Sequence, residues 1–503
     1  MIKIGDPVSI DDMVKVGRYK EKVKLSAKAE TTLEASYERL KSILQSHRTV
    51  YGVNTGFGAL VDVKITDDEL RDLQMNILKS HAAGIGEPLK EEIVRGMIFL
   101  RAVSLSKGFS GVRTVIVKRL IDFLNLDLVP VVPRTGSVGA SGDLAPLSHV
   151  ALALIGEGEV FYEGRRTSAR EALEKAGIEP LVLEAKEGLA LVNGTQAMCS
   201  VAGFALNDAF RLFDLALIAA AMSVDALLGS TDPFDPRLHQ VRPHPGQQEV
   251  AERLRELLEG SEIRDYHRTC HNVQDAYTMR TLPQVYGAVL DTLNHARKVL
   301  EVEMNSVTDN PLIFSRGSEV DVISGGNFHG EPIALVCDFC SIALTDMMNM
   351  MERRIDRILN PNTSRGLPAF LAKGREGLNS GYMLWQYTAA AIASRNKVLA
   401  HPASADSIPT SAYQEDHVSM GMNAALKFSE IVENLKDMVA IELMLAARAL
   451  QFREPLKTSP ALQPYKEELL SKMMEYHHDV IFREDFIKVR DFVEQWVTAG
   501  KDR

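Results

Sequence analysis

Two long stretches of this chain lack the residues that usually end helices. Ala334–Leu359 contains neither glycine nor proline, and Ala197–Leu228 contains Gly203 alone. Apolar-rich segments of this length predict helices longer than the usual three to four turns or so. Apolar side chains recur at helical spacing in Leu33, Tyr37, Leu40 and Leu44, and again in Ile431, Leu435, Met438, Ile441 and Leu445. Wide apolar faces on long helices suit a bundle or an oligomer core. Strand signals are short. Glu159–Tyr162 and Arg165–Thr167 flank Glu163-Gly164 as a hairpin, and Leu181–Leu183 with Leu189–Val192 suggest another around Lys186–Gly188. There is no alternating βαβ series and no fixed-period repeat. The expectation is a mainly α fold: an N-terminal region over 1–205, then a long-helix bundle with a C-terminal helical region over 206–503.

Composition adds exclusions. At 46% hydrophobic and 25% charged, the 503 residues are ordinary globular material. The formal net charge of -10 gives no general attraction to nucleic acid or to an anionic membrane. Met1–Asp6 opens without the apolar core of a signal peptide. The longest membrane-like run, Leu212–Leu228, is interrupted by Asp214 and Asp225, leaving too short an uncharged stretch to span a bilayer. Four cysteines make no disulfide framework. A soluble, cytoplasmic protein is expected, with neither nucleic acid nor membrane as partner. No phosphate loop of the G-x-x-x-x-G-K-[ST] kind and no H-E-x-x-H helix is present. Cys337-Asp-Phe-Cys340 lies in mid-helix without a second pair and reads as two core thiols. No metal is expected.

The most informative stretch is Gly136-Ser-Val-Gly139-Ala-Ser-Gly142, followed by Asp143-Leu-Ala-Pro146. Three glycines in seven residues permit unusual backbone angles. The next segment reads as a helix start, with Asp143 as N-cap and proline in the first turn, so the loop lies against the positive end of a helix dipole. Three readings fit this spacing. It is a plain tight turn, or a phosphate cradle lacking a nearby lysine, or a seat for a reactive Ser141 that still needs a base.

Gly139-Ala140-Ser141-Gly142-Asp143-Leu144-Ala145-Pro146-Leu147-Ser148 resembles the signature of the aromatic amino acid ammonia-lyases. Tyr51-Gly-Val-Asn-Thr-Gly-Phe-Gly58, Asn193-Gly-Thr-Gln196, Asn327-Phe-His-Gly-Glu331 and Gln414-Glu-Asp-His417 resemble further blocks of that family, in the family order. The resemblance implies a helical bundle like that of aspartase and fumarase, and a homotetramer with active sites shared between subunits. It also implies that Ala140, Ser141 and Gly142 cyclise into a methylidene-imidazolone electrophile, with no external cofactor. The Gly142 nitrogen attacks the Ala140 carbonyl, whose oxygen leaves as one water, and the Ser141 hydroxyl leaves as a second. By the same resemblance Tyr51 is the base and Tyr277 a second active-site tyrosine. Asn193 contacts electrophile and amine, and Arg280, in Gln274-Asp-Ala-Tyr277-Thr-Met-Arg280, clamps the substrate carboxylate with Gln274 beside the substrate. Phe328 packs near the ring.

The substrate follows from the pocket. Ser80-His81-Ala82-Ala83-Gly84 resembles the histidine-specific members, although tyrosine-specific members also carry a histidine here. Glu415 discriminates better: a carboxylate accepts a hydrogen bond from an imidazole N–H but has no partner in a phenyl ring. The implied reaction takes L-histidine to trans-urocanate and ammonia. Departures at Ala276-Tyr-Thr-Met-Arg-Thr-Leu-Pro283 and at Tyr413 keep a tyrosine or phenylalanine ammonia-lyase, or a tyrosine aminomutase, as the alternative. A fumarase-type lyase would carry a Gly-Ser-Ser-x-Met-Pro-x-Lys loop, which is absent. A serine hydrolase acting through Ser141, or a non-enzymatic helical scaffold, would leave the tripeptide unmodified.

Overall fold

The computed structural model describes residues 1–45, 55, 65–66, 69–267, 274–316, 319–375 and 377–499. The chain divides into two compact units. The first gathers Met1–Asn207, Ala296–Asp338 and Pro402–Leu426; the second gathers Asp208–His295, Phe339–His401 and Lys427–Arg503. The mainly α fold is as expected. The two glycine- and proline-poor stretches are the helices Gln196–Ala226 and Glu331–Leu359. The periodic apolar stripes lie in the helices Ala27–Gln45 and Gly421–Gln451, where Leu33, Leu40, Ile431, Leu435, Met438, Ile441 and Leu445 are buried.

The first unit is built around the Glu91–Ser106 helix, whose residues from Ile93 to Ser106 are all buried. Two arginines are among them. Arg95 is satisfied by the carbonyls of Val16 and Leu124 and by Asp127. Arg101 points towards the site described below. Among the described residues every strand lies in this unit. Ile2–Ile4 pairs with Val23–Leu25 in parallel, and Ile85–Pro88 pairs with Pro133–Thr135. Val129–Pro130 joins the expected hairpin, in which Tyr162 faces Arg165. A further hairpin, Leu312–Arg316 with Glu319–Ile323, went unread in the sequence.

The second expected hairpin does not form. Leu181–Ala185 is irregular and Glu187–Val192 is a helix. Side-chain chemistry decides this. The Glu187 carboxylate accepts from the Arg113 backbone, the Arg113 guanidinium and the Glu184 N–H, which fixes the helix start. Gly188 lies so close to Gln74 that a Cβ would stand 2.6 Å from its carbonyl oxygen.

The second unit is helical throughout its described secondary structure. Its core holds a buried ion pair, Arg354–Glu442 at 2.6 Å. Tyr286 accepts from Arg354, and Ser223 donates to Glu442, so neither charge lacks a partner. Cys337 and Cys340 are both buried thiols outside any disulfide, as read from the sequence. The Glu331–Leu359 helix is long and apolar enough by composition to cross a membrane, but 61% of its most apolar window is buried. The stretch expected to be the most membrane-like, Leu212–Leu228, is instead largely the buried end of the Gln196–Ala226 helix.

Candidate active site

The Gly139–Gly142 loop is held open by contacts from distant parts of the first unit. Gly139 and Gly142 adopt φ of +68° and +73°, where side chains are strained. A Cβ on Gly142 would stand 2.3 Å from the carbonyl oxygen of Gly194, which instead accepts from the Asp143 N–H at 2.7 Å. A Cβ on Gly139 would stand 2.2 Å from Ser419 Oγ. Ser419 donates to the Gly139 carbonyl, and Met420 N donates to the Val138 carbonyl. Ala140 packs with Val418 and Met420. The loop is therefore gripped between Asn193–Thr195 and Val418–Gly421.

Asp143 stands at the N-cap position of the Leu144–Leu154 helix but makes no side-chain cap. Its carboxylate accepts instead from Ser137 Oγ and Met198 N, each at 2.8 Å. Burial pushes its pKa up to about 6, against the pull of those hydrogen bonds. The sequence reading of Asp143 as a capping residue is corrected accordingly: the side chain ties the loop to the start of the Gln196–Ala226 helix.

Ser141 is bonded on both sides. Its Oγ donates to Glu415 Oε1 at 2.7 Å, and its carbonyl accepts from Asn193 Nδ2 at 2.7 Å. Thr410 Oγ1 donates to the other Glu415 oxygen at 2.7 Å. Asn193 is braced from behind by Arg101, whose Nη1 donates to the Asn193 carbonyl at 2.9 Å and to Gln196 at 2.8 Å. Gln196 in turn donates to Thr308. Burial lowers the Arg101 pKa to about 10, which still leaves a cation at neutral pH. Arg101 and Thr410 are the positioning residues that motif reading missed. A lone arginine inside the apolar run Gly96–Val103 was the available signal for the first; Thr410 offered none.

Ser141, Asn193 and Glu415 share a cavity of about 600 Å³. His81, Ala140, Ser141, Asn193, Phe328 and Glu415 line it, together with Ile77, Leu144, Leu189, Asn310, Ser324, Gly325, His329 and the Ser411–His417 segment in part. His81 ends the Leu70–His81 helix, its Nδ1 2.9 Å from Ser80 Oγ. Burial lowers the His81 pKa, and the Glu415 carboxylate opposes that shift. The wall is mixed, with apolar Ile77, Leu144, Leu189 and Phe328 beside a few convergent polar groups, as in a small-molecule site.

Gln274, Tyr277 and Arg280 belong to the second unit and are not among the lining residues. Tyr277 is 69% exposed and carries the Arg280 guanidinium 4.5 Å from its ring centroid. Tyr413 is exposed and also outside the lining. Tyr51 lies outside the described residues.

The family model for aromatic amino acid lyases matches residues 8–471. Histidine ammonia-lyase of Koribacter versatilis is 49% identical over 99% of this chain and 98% of its own length. Among solved structures, tyrosine aminomutase from Streptomyces globisporus superposes with a TM-score of 0.93 at 36% identity, covering 99% of this chain and 97% of that one. Histidine ammonia-lyase from Trypanosoma cruzi gives 0.90 at 40% identity, covering 99% and 94%. With the glycine-framed Ala140–Gly142 loop at the cavity and this likeness along nearly the whole chain, the protein belongs to the aromatic amino acid lyases, carbon–nitrogen lyases of mainly helical fold.

Proposed function

We propose that this lyase acts on L-histidine, eliminating ammonia to give trans-urocanate. The observation that carries the reading is the Glu415 carboxylate, held by Thr410 and lining one cavity with His81, Ser141 and Asn193. A carboxylate there calls for a donor. Once the Ser141 hydroxyl has left, an imidazole N–H supplies one to the Glu415 oxygen it had bonded, whereas a phenyl ring leaves that oxygen with none. The names of the relatives point the same way.

The tripeptide fits a methylidene-imidazolone made from Ala140, Ser141 and Gly142. Gly142 offers a nitrogen with no side chain to obstruct it, and Ala140 is small. The groups around them form a rigid, bonded frame. Once formed, the ring supplies an electron-poor alkene that makes ammonia a better leaving group, and no other cofactor is needed.

The chain's own side chains do the rest. Asn193 donates to the Ser141 carbonyl and withdraws electron density from it. Glu415 and His81 orient the imidazole, and Phe328 closes the apolar wall. Tyr51 takes the β-proton as base. Arg280 receives the substrate carboxylate as a bidentate fork, with Tyr277 and Gln274 beside it. Because those three are not in this chain's cavity lining, the reading includes a homotetramer in which a second copy completes each site. A soluble, cytoplasmic enzyme is the setting this implies.

Ultraviolet progress curves with L-histidine, L-tyrosine and L-phenylalanine, without added cofactor, test the substrate. Turnover of L-histidine alone is expected. Turnover of L-tyrosine with L-histidine untouched would overturn the Glu415 assignment, and formation of β-tyrosine would mark an aminomutase.

A further inference from the structure

His329, Glu331 and His417 each offer one ligating atom, and all three atoms lie within 4.8 Å of one another. The two imidazole rings lie nearly parallel, 8° apart with centroids separated by 5.6 Å. None of the three has a part in the reaction proposed above. We propose that they form a binding site for a divalent transition-metal ion of the zinc type, at the wall of the cavity.

The donor set argues for that class of ion. Two imidazoles and one carboxylate suit borderline first-row metals, whereas calcium and magnesium select oxygen donors. The local structure presents the donors well. His329 sits on a turn closed by its N–H to the Gly326 carbonyl, and Glu331 opens the Glu331–Leu359 helix. The bond from Glu331 N to His329 Nδ1 is long, 3.4 Å, so the His329 ring can turn at little cost. His417 is exposed, its ring held only by stacking on that of His329 among the contacts described. Zinc–nitrogen bonds of about 2.0–2.1 Å in tetrahedral geometry require the three atoms to close by roughly 1 Å, within reach of such rotations.

Two consequences follow. The ion ties the segment carrying Glu415 to the start of a long helix, since His417 lies two residues beyond Glu415. Three protein ligands also leave an open position. Both imidazoles line the cavity, so a small molecule there bearing an amine, carboxylate or imidazole can reach the ion. This inference is independent of the lyase reading, because it asks only whether metal binds.

The test is zinc titration of the tag-free, metal-stripped full-length protein by calorimetry, repeated with cobalt to read ligand nitrogens from its visible absorption. One ion per chain with micromolar or tighter affinity is expected. H329A and H417A should each weaken it by about 100-fold and E331Q by about tenfold, with unchanged circular dichroism. Absence of saturable binding at one ion per chain overturns the proposal. So does full affinity in the H329A/H417A double variant, or loss of affinity in H477A/H478A, whose exposed adjacent imidazoles would then be an adventitious site.

Discussion

Gly142 has to be glycine for two separate reasons. Its φ of +73° disfavours any side chain, and a Cβ would stand 2.3 Å from a backbone oxygen that cannot swing away. A left-handed non-glycine residue costs about 1–3 kcal/mol, and the collision adds to it. On the proposed reading the same atom is the ring-closing nitrogen. Intact mass of the native protein should therefore fall short of the sequence mass by two waters. G142A should have the full mass, no turnover and a lower melting temperature; a two-water deficit in G142A would remove the requirement. At this scale the sequence was legible wherever chemistry sits in a contiguous motif. Ser141, Asn193 and Glu415 stood out for that reason, and the structure brings them together around 2.7 Å hydrogen bonds. Arg101 and Thr410 did not stand out. Each acts through a partner more than 90 residues away in the first case, and across a strained loop in the second.

The segment from Thr410 to Glu415 shows how a short element can set a side chain. Ser411, Ala412 and Tyr413 all have positive φ, a conformation that three non-glycine residues hold only under external constraint. The clasp is Thr410, whose N–H donates to the Glu415 carbonyl at 2.9 Å while its hydroxyl donates to the Glu415 carboxylate. A hydrogen bond to a charged group contributes about 1.5–3 kcal/mol. T410V should raise KM for L-histidine roughly tenfold or more while sparing the two-water mass deficit. An unchanged KM would mean that Glu415 is placed by something other than this clasp. Element boundaries were less legible than element types. The run Leu189–Val192 is too short for periodicity to tell strand from helix. What settled it, the Arg113–Glu187 pairing, joins residues 74 positions apart.

Across the whole molecule the helical class was legible, because Ala334–Leu359 and Ala197–Leu228 admit little else. The interleaving of the two units was not, since it depends on which distant segments meet: Ala296–Asp338 and Pro402–Leu426 join the N-terminal segment. The same interleaving splits the expected site residues, with Ser141 and Glu415 in one unit and Tyr277 and Arg280 in the other. If a second copy completes each site, two dead proteins should rescue one another. S141A and R280A are each expected to be inactive, and co-expression should restore turnover in the mixed oligomers. Co-purifying mixed oligomers that stay inactive would show that each chain supplies its whole site.

The cavity wall runs from Ile77 to His417, about two thirds of the chain. The bracing turn at Ser419 contacts Gly139 across 280 positions. That distance is also a delay. During synthesis Ser141 leaves the ribosome hundreds of residues before its partner Glu415, and before Ser419 that braces Gly139, so an emerging chain holds the tripeptide without its frame. The loop acquires its frame only once the segment carrying Glu415 and Ser419 has been made.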